Sequence, residues 1–118
     1  MGAAEAAAAP RSVELALARL VLAAAVGVPG VAGISRGRFA VARTFGLGGE
    51  AVEGVQLTPM ADGWRVEVHL IVHPAPIPPL AAAVRAAVAV ATARAGARVA
   101  AVDIWVDALR EHAEGGMA

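Results

Sequence analysis

The chain has 118 residues, with ten basic and ten acidic side chains and no cysteine. A net charge of zero argues against a general nucleic-acid binder, which gains affinity from a positive excess, and the lack of cysteine excludes disulfides, thiolate metal ligands and cysteine nucleophiles. Hydrophobic residues make up 58% of the chain but aromatic residues only 3%, so we expect a single domain with a thin core of alanine, valine and leucine.

The N-terminal part predicts a flexible tail over residues 1–11 and then an amphipathic helix. Ser12 is placed to cap that helix, which Gly27 and Pro29 end. The first ten residues carry Glu5 and no basic residue, so we expect no export signal. The predicted buried stripe, at helical spacing, is Val13, Leu17, Leu20, Val21, Ala24 and Val28.

Short strands are predicted after this helix. The first runs from Val31 to Arg38, and a glycine-rich stretch over residues 39–50 follows, which we interpret as a mobile loop. A second strand is predicted from Val52 to Thr58. The Asp62-Gly63 turn should then join it to the next strand as an antiparallel hairpin.

The C-terminal half predicts a strand, a helix and a strand. Alternation of apolar residues from Trp64 to Val72 indicates a half-buried strand, which a proline-rich segment ends. A helix from near Pro79 to Gly96 and a strand from Val99 to Asp107 follow, and a helix between two strands usually makes them parallel. The predicted buried stripe of this helix is Leu80, Val84, Val88, Ala91 and Ala95.

The fold class predicted from these elements is α+β, a mixed three- to four-stranded sheet with two helices packed on one face. The domain should span residues 12–109, followed by a flexible tail over residues 110–118.

Chemistry-bearing residues are sparse. His69 and His73 lie four apart on one strand, roughly 13 Å between Cα atoms, which is too far to share a metal ion, so we interpret them as solvated. The sequence contains neither a nucleophile elbow nor the paired carboxylates of a glycosidase. We therefore predict no enzyme, no catalytic residue, no metal site and no cofactor.

Trp105 is the residue that core packing explains least well. Alternation places it opposite the apolar face of the last strand, on the open face of the sheet, where a large aromatic side chain is typical of an interface. Alternatively, the chain's own glycine-rich loop or tail covers it. The predicted interface consists of Trp105, Asp103, Asp107, Arg65, His69 and Ile71.

Three segments, taken in order, resemble the alkaline shock protein family of bacteria, also called the envelope stress response family. They are AAAVGVPGVAGIS, then WRVEVHLIV entering PIPPLAAAVRAAV, and finally ARVAAVDIWVDAL. They are similar to the family's "V-x-G-V" after a small-residue helix, its alternating strand with an "I-x-x-x-A-x-x-V" helix, and its closing "V-x-x-V-(D/N)-(I/V)-x-V". The resemblance covers about Ser12 to Leu109, although the family's Tyr-Gly before the second helix is His73-Pro74 here.

The resemblance implies a non-enzymatic, cytoplasmic protein of cell-envelope homeostasis. It would act as an interaction scaffold on the cytoplasmic side of the membrane, associate with itself, and reach the membrane through a membrane-anchored partner protein, without insertion of its own. Neither DNA nor RNA is expected as a partner. The alternative hypothesis is a small RNA-binding or ribosome-associated module that contacts phosphates through Arg36, Arg38 and Arg43.

Overall fold

The computed structural model describes residues 3–37, 43–45 and 51–111. Both helices pack on one face of a four-stranded mixed sheet, which confirms the predicted α+β class. The elements in chain order are α1 (Ala3–Val26), β1 (Val31–Ile34), β2 (Arg43–Phe45), β3 (Ala51–Glu53), β4 (Val55–Met60), β5 (Gly63–Val72), α2 (Ile77–Arg94) and β6 (Val99–Leu109).

The main sheet is built around β5. β6 pairs with β5 in parallel from Trp64 to Val72, which leaves the opposite edge of β5 for two shorter strands. β4 pairs antiparallel with the first part of that edge and β1 with its end. The predicted hairpin through Asp62-Gly63 and the predicted parallel pairing across a helix are both confirmed.

A second, two-stranded sheet joins β2 and β3. Its Thr44 is buried and donates a hydrogen bond from Oγ1 to the carbonyl of Val55, 2.8 Å away, which ties the small sheet to the main one. The prediction of a loop throughout residues 39–50 is therefore wrong at β2, where pairing with β3 satisfies the backbone; residues 39–42 and 46–50 lie outside the described ranges.

Gly54 separates β3 from β4, where the sequence predicts one continuous strand. Its φ is +85°, a left-handed conformation that favours glycine and breaks the strand. The Gly54 carbonyl also accepts the backbone N–H of His69 at 2.8 Å. The predicted strand Val52–Thr58 is thus two strands, of which β3 pairs with β2 and β4 pairs with β5.

The core lies between the helices and the main sheet. On β5 the side chains of Val66, Val68, Leu70 and Val72 are fully buried, and Val102, Ile104 and Val106 of β6 pack against the same cluster while remaining partly exposed. This is the predicted apolar face. The thin core of small aliphatic side chains is also as predicted: on the helices its buried members are Leu15, Ala18, Val21, Ala25, Leu80, Val84 and Val88.

The prediction for α1 is wrong in two respects. The helix begins at Ala3 and not at Ser12, because alanine, the strongest helix former, fills most of residues 3–9. In addition, Val13 is exposed whereas Leu15 and Ala18 are buried. In an alanine-rich helix the small residues can face the core as well as the large ones, so the apolar stripe does not determine the buried face.

α2 is close to its prediction. It begins at Ile77, and Pro78 and Pro79 are tolerated because the first-turn N–H groups have no partner within the helix. It buries Thr92 in place of the predicted Ala91 and Ala95. By length and composition alone α2 is long and apolar enough to cross a membrane. The core helix of a globular domain meets the same criteria.

β1 ends at Ile34, short of the predicted Arg38, which lies outside the described residues. At the other end β6 extends to Leu109, and Arg110 donates its backbone N–H to the carbonyl of Val72 at 2.8 Å. Residues 112–118 of the predicted C-terminal tail lie outside the described ranges.

Candidate interaction surface on the open sheet face

The helix-free face of the main sheet carries the polar side chains of β5 and β6. Because side chains alternate along a strand, residues 65, 67, 69 and 71 of β5 share this face with residues 103 and 105 of β6. At one end Arg65 donates from Nε to Oδ2 of Asp103 at 2.7 Å. This hydrogen bond and the charge of Asp103 raise the pKa of Arg65, so the guanidinium remains charged.

His69 lies at the centre of the face and is buried, with 8% of its surface exposed. Its Nδ1 lies 2.9 Å from Oδ2 of Asp107, and its Nε2 lies 2.9 Å from Oε2 of Glu67. A carboxylate only accepts hydrogen bonds, so the ring donates to both carboxylates only when both nitrogens carry a proton. The prediction that His69 is solvated is therefore wrong, because two acidic neighbours hold the ring against the sheet.

Trp105 stacks on His69, its register partner on the neighbouring strand. The two ring centroids are 5.6 Å apart and the ring planes differ by 7°, which is a stacked arrangement. Even so, 51% of Trp105 remains exposed. The structure thus places Trp105 on the open face, where the sequence predicts it, rather than in the core.

The predicted interface residues lie together on this face. Arg65 contacts Asp103, while His69 contacts both Asp107 and Trp105. Ile71 follows on the same face by alternation and is partly buried, next to a register shift that separates Leu70 from Ile71 in the pairing with β6. That shift gives β6 one extra residue, Asp107, whose carboxylate contacts His69.

Glu67 belongs to this surface, although the predicted interface does not include it. It lies two residues before His69 on the same strand and so on the same face, a spacing that could have identified it as a partner of the imidazole. We call the set Arg65, Glu67, His69, Asp103, Trp105 and Asp107 the Trp105 surface.

The other candidate residues do not converge on a site. Within the described ranges, His, Asp and Glu side chains form no group of three suited to a metal ion. His73 lies at the end of β5, where its Nδ1 donates to the carbonyl of Arg110 at 3.0 Å. Of the arginines in the RNA hypothesis, Arg36 pairs with Glu53 at 2.7 Å, whereas Arg38 and the side chain of Arg43 lie outside the described part.

Comparison with known proteins assigns no family. No protein-family model matches the chain, and no curated protein matches it. A solved structure of a MamM CTD variant in a zinc form is similar over 85% of this chain and 87% of its own, with a TM-score of 0.47 and 15% sequence identity. A similarity of this degree assigns no function, and the resemblance to alkaline shock proteins stays a prediction.

Proposed function

We propose that this chain is a non-enzymatic protein-interaction scaffold that binds its partner through the Trp105 surface. The observation that carries the proposal is the half-exposed indole of Trp105, stacked on a buried histidine that two carboxylates hold in place. Large aromatic side chains contribute a large share of the energy at protein interfaces.

The arrangement reduces the entropy that binding would cost. A free indole on a strand would lose rotamer freedom on contact with a partner, and such ordering weakens association. Here the stack restricts Trp105 before any partner arrives, and each ring nitrogen of the stacked His69 lies 2.9 Å from a carboxylate. An aromatic group held in this way is preorganised for contact.

The charged groups around Trp105 are mostly acidic. Asp103 is bonded to Arg65, while Glu67 and Asp107 share the single imidazole of His69. Acidic groups repel a phosphate backbone, which favours a protein surface over a nucleic acid as the partner.

The proposed cellular role is that of an envelope stress response protein, acting on the cytoplasmic side of the membrane and recruited by a membrane-anchored partner. The family resemblance of the three quoted segments supports this role. Self-association is the second part of the proposal, and α1, α2 and the sheet form one core that can present the Trp105 surface as a rigid unit.

Photo-crosslinking in the native host tests the proposal. A photoreactive amino acid at Thr58, an exposed position on neighbouring β4, would report proteins that cover this face. We expect the photoreactive chain with Trp105 intact to crosslink one defined protein of the membrane fraction. The same chain with Trp105→Ala should lose this crosslink, because the substitution should weaken binding by about 2 kcal/mol or more.

The matched control is Val90→Ala on α2, since 52% of Val90 is exposed against 51% of Trp105. Complementation of a deletion strain under envelope stress would show whether the contact matters in the cell. The proposal fails if Trp105→Ala and Val90→Ala behave alike in both capture and complementation.

A further inference from the structure

The free edge of β6 is the feature from which we infer a second contact. β6 is 11 residues long, and within the described ranges β5 is its one strand neighbour. An edge strand exposes unpaired N–H and C=O groups that another strand can bond. Proline and lysine, which often protect such edges, are both missing from β6.

The backbone groups that point outward can be derived from the pairing. The backbone groups of His69 point toward β4 and β1, since its N–H donates to the carbonyl of Gly54 and its carbonyl accepts the N–H of Ser35. The alternate residues of β5 therefore face β6 and, in the observed register, bond residues 101, 103 and 105. The backbone N–H and C=O groups that point away from β5, toward the free edge, are those of Val102, Ile104 and Val106.

One side-chain contact agrees with this assignment. Arg85 of α2 reaches the carbonyl of Val102 with its Nε, 3.3 Å away. That bond is long, and a carbonyl oxygen has a second lone pair, so Val102 can still accept a bond from another strand.

The acidic side chains of β6 do not protect its edge. Asp103 is bonded to Arg65 and Asp107 to His69, and both of these partners lie on β5, on the side away from the edge. Among the described residues, neither a strand nor an acidic side chain covers the regular part of the edge, between the register shifts near Ala100 and Asp107.

The side chains select how a second copy would pair. In antiparallel pairing about a two-fold axis, an axis at Asp103 sets that carboxylate opposite itself, and an axis at Trp105 sets Asp103 opposite Asp107. Like charges directly opposite each other destabilise a sheet. An axis at Ile104 avoids both pairings.

The axis at Ile104 also uses the backbone best. It pairs Ile104 with itself and Val102 with Val106, so that all three outward residues exchange hydrogen bonds. On the open face it sets Trp105 opposite Asp103, where an indole N–H can donate to a carboxylate. On the helix side the opposed side chains are Val102, Ile104 and Val106, which are still partly exposed in one copy.

The helix side leaves room for the second copy. A groove of about 440 Å³ runs between α2 and β6, lined mainly by small residues that include Ala89, Ala93, Ala97 and Ala101. Small side chains let two helices approach closely. The second α2 would approach across this groove once the strands pair.

We propose that the free edge of β6 pairs antiparallel with β6 of a second copy, about a two-fold axis at Ile104, to form one continuous sheet. The inference rests on the self-association part of the proposed function and deepens it, because it names the occupant and the register. The two Trp105 surfaces would then lie side by side on one face of the dimer.

Single-cysteine variants test the register, and the native chain provides a clean background because it has no cysteine. Opposed residues of a hydrogen-bonded pair have Cα atoms about 5.5 Å apart, within disulfide range. We expect Ile104→Cys to form a disulfide-linked dimer under mild oxidation and Asp103→Cys and Trp105→Cys to stay monomeric on a non-reducing gel. Crosslinking at residue 103 or 105 in place of 104, or at none of the three, overturns the proposal.

A second measurement does not depend on crosslinking. Val102→Pro removes an outward N–H and no bond to β5, so the fold should persist, as circular dichroism would check. Because the donor is lost at both symmetric positions, the dimer dissociation constant of Val102→Pro, measured by analytical ultracentrifugation, should rise about tenfold or more. Val102→Ala keeps the N–H and should therefore dimerise more tightly than Val102→Pro. A native chain that stays monomeric, or equal dimerisation of Val102→Pro and Val102→Ala, refutes the edge pairing.

These results separate the two proposals. Disulfide-linked dimers through Ile104→Cys with no effect of Trp105→Ala on partner capture would keep the edge pairing and refute the proposed function. Loss of partner capture in Trp105→Ala with no dimer of the native chain would do the reverse.

Discussion

Replacing Gly54 by alanine adds a single methyl group and should destabilise the fold at the break between β3 and β4. Its φ is +85°, and a Cβ there would meet the side chain of Ile34 and lie 2.9 Å from the carbonyl oxygen of Ser35. Left-handed backbone costs about 1–2 kcal/mol for a residue with a Cβ. The forced overlap with Ile34 adds about 1–3 kcal/mol, as extra methyl groups do in packed interiors.

Part of this cost is offset in the unfolded chain. Replacing glycine by alanine lowers the entropy of the unfolded state, which stabilises the protein by about 0.4–1 kcal/mol. The net loss for Gly54→Ala is then about 2–4 kcal/mol. Because Gly54 also accepts the N–H of His69, the change should propagate to the Trp105 surface.

Gly96→Ala provides the matched control. Gly96 has a φ of +76° but open space around its missing Cβ, so it reports backbone strain without overlap. We expect a loss of about 1 kcal/mol there. Urea unfolding followed by tryptophan fluorescence would compare the midpoints at equal slopes. Equal losses at Gly54 and Gly96 would refute the assigned clash with Ile34.

Three further predictions follow from burial and charge. Leu70→Ala, at a fully buried position, should lower the free energy of unfolding by about 2–5 kcal/mol in the same urea assay. Ile104→Ala should lower it about half as much, because Ile104 is partly exposed. An equal loss at both positions would contradict the assigned burial. His69→Ala leaves Glu67 and Asp107 without their shared donor and should cost about 1–3 kcal/mol, less if both are first changed to amides. Submicromolar binding to unrelated RNAs at physiological salt should be absent in filter binding, since the net charge is zero.

Strand alternation made the sheet predictable. From Trp64 to Leu70 apolar and polar residues alternate strictly and the strand is central, so the period, the burial and the pairing agree. The same alternation in β6 places Trp105 on the open face. Where one residue type dominates, this signal is lost: in α1 alanine occupies both faces, and neither the start of the helix nor its buried side follows from the pattern.

The break at Gly54 and the burial of His69 were beyond sequence reasoning for a different reason. Both depend on contacts between segments far apart in the chain. His69 contacts Asp107 and stacks on Trp105, both on a parallel strand more than 30 residues later, and local sequence does not encode which residues of the two strands lie in register. The Arg65–Asp103 pair, by contrast, needs only the regular part of the same register.

The polar network on the open face has a consequence for how a partner is chosen. Arg65 and Asp103 neutralise each other, whereas Glu67 and Asp107 share the single imidazole of His69, so this face carries more acidic than basic groups. Unpaired charge acts at long range and steers the encounter with a partner. The exposed indole acts only at contact and depends on the shape of the partner. In the proposed scaffold, the acidic groups would therefore disfavour acidic partners, and Trp105 would select the orientation of the partner that binds.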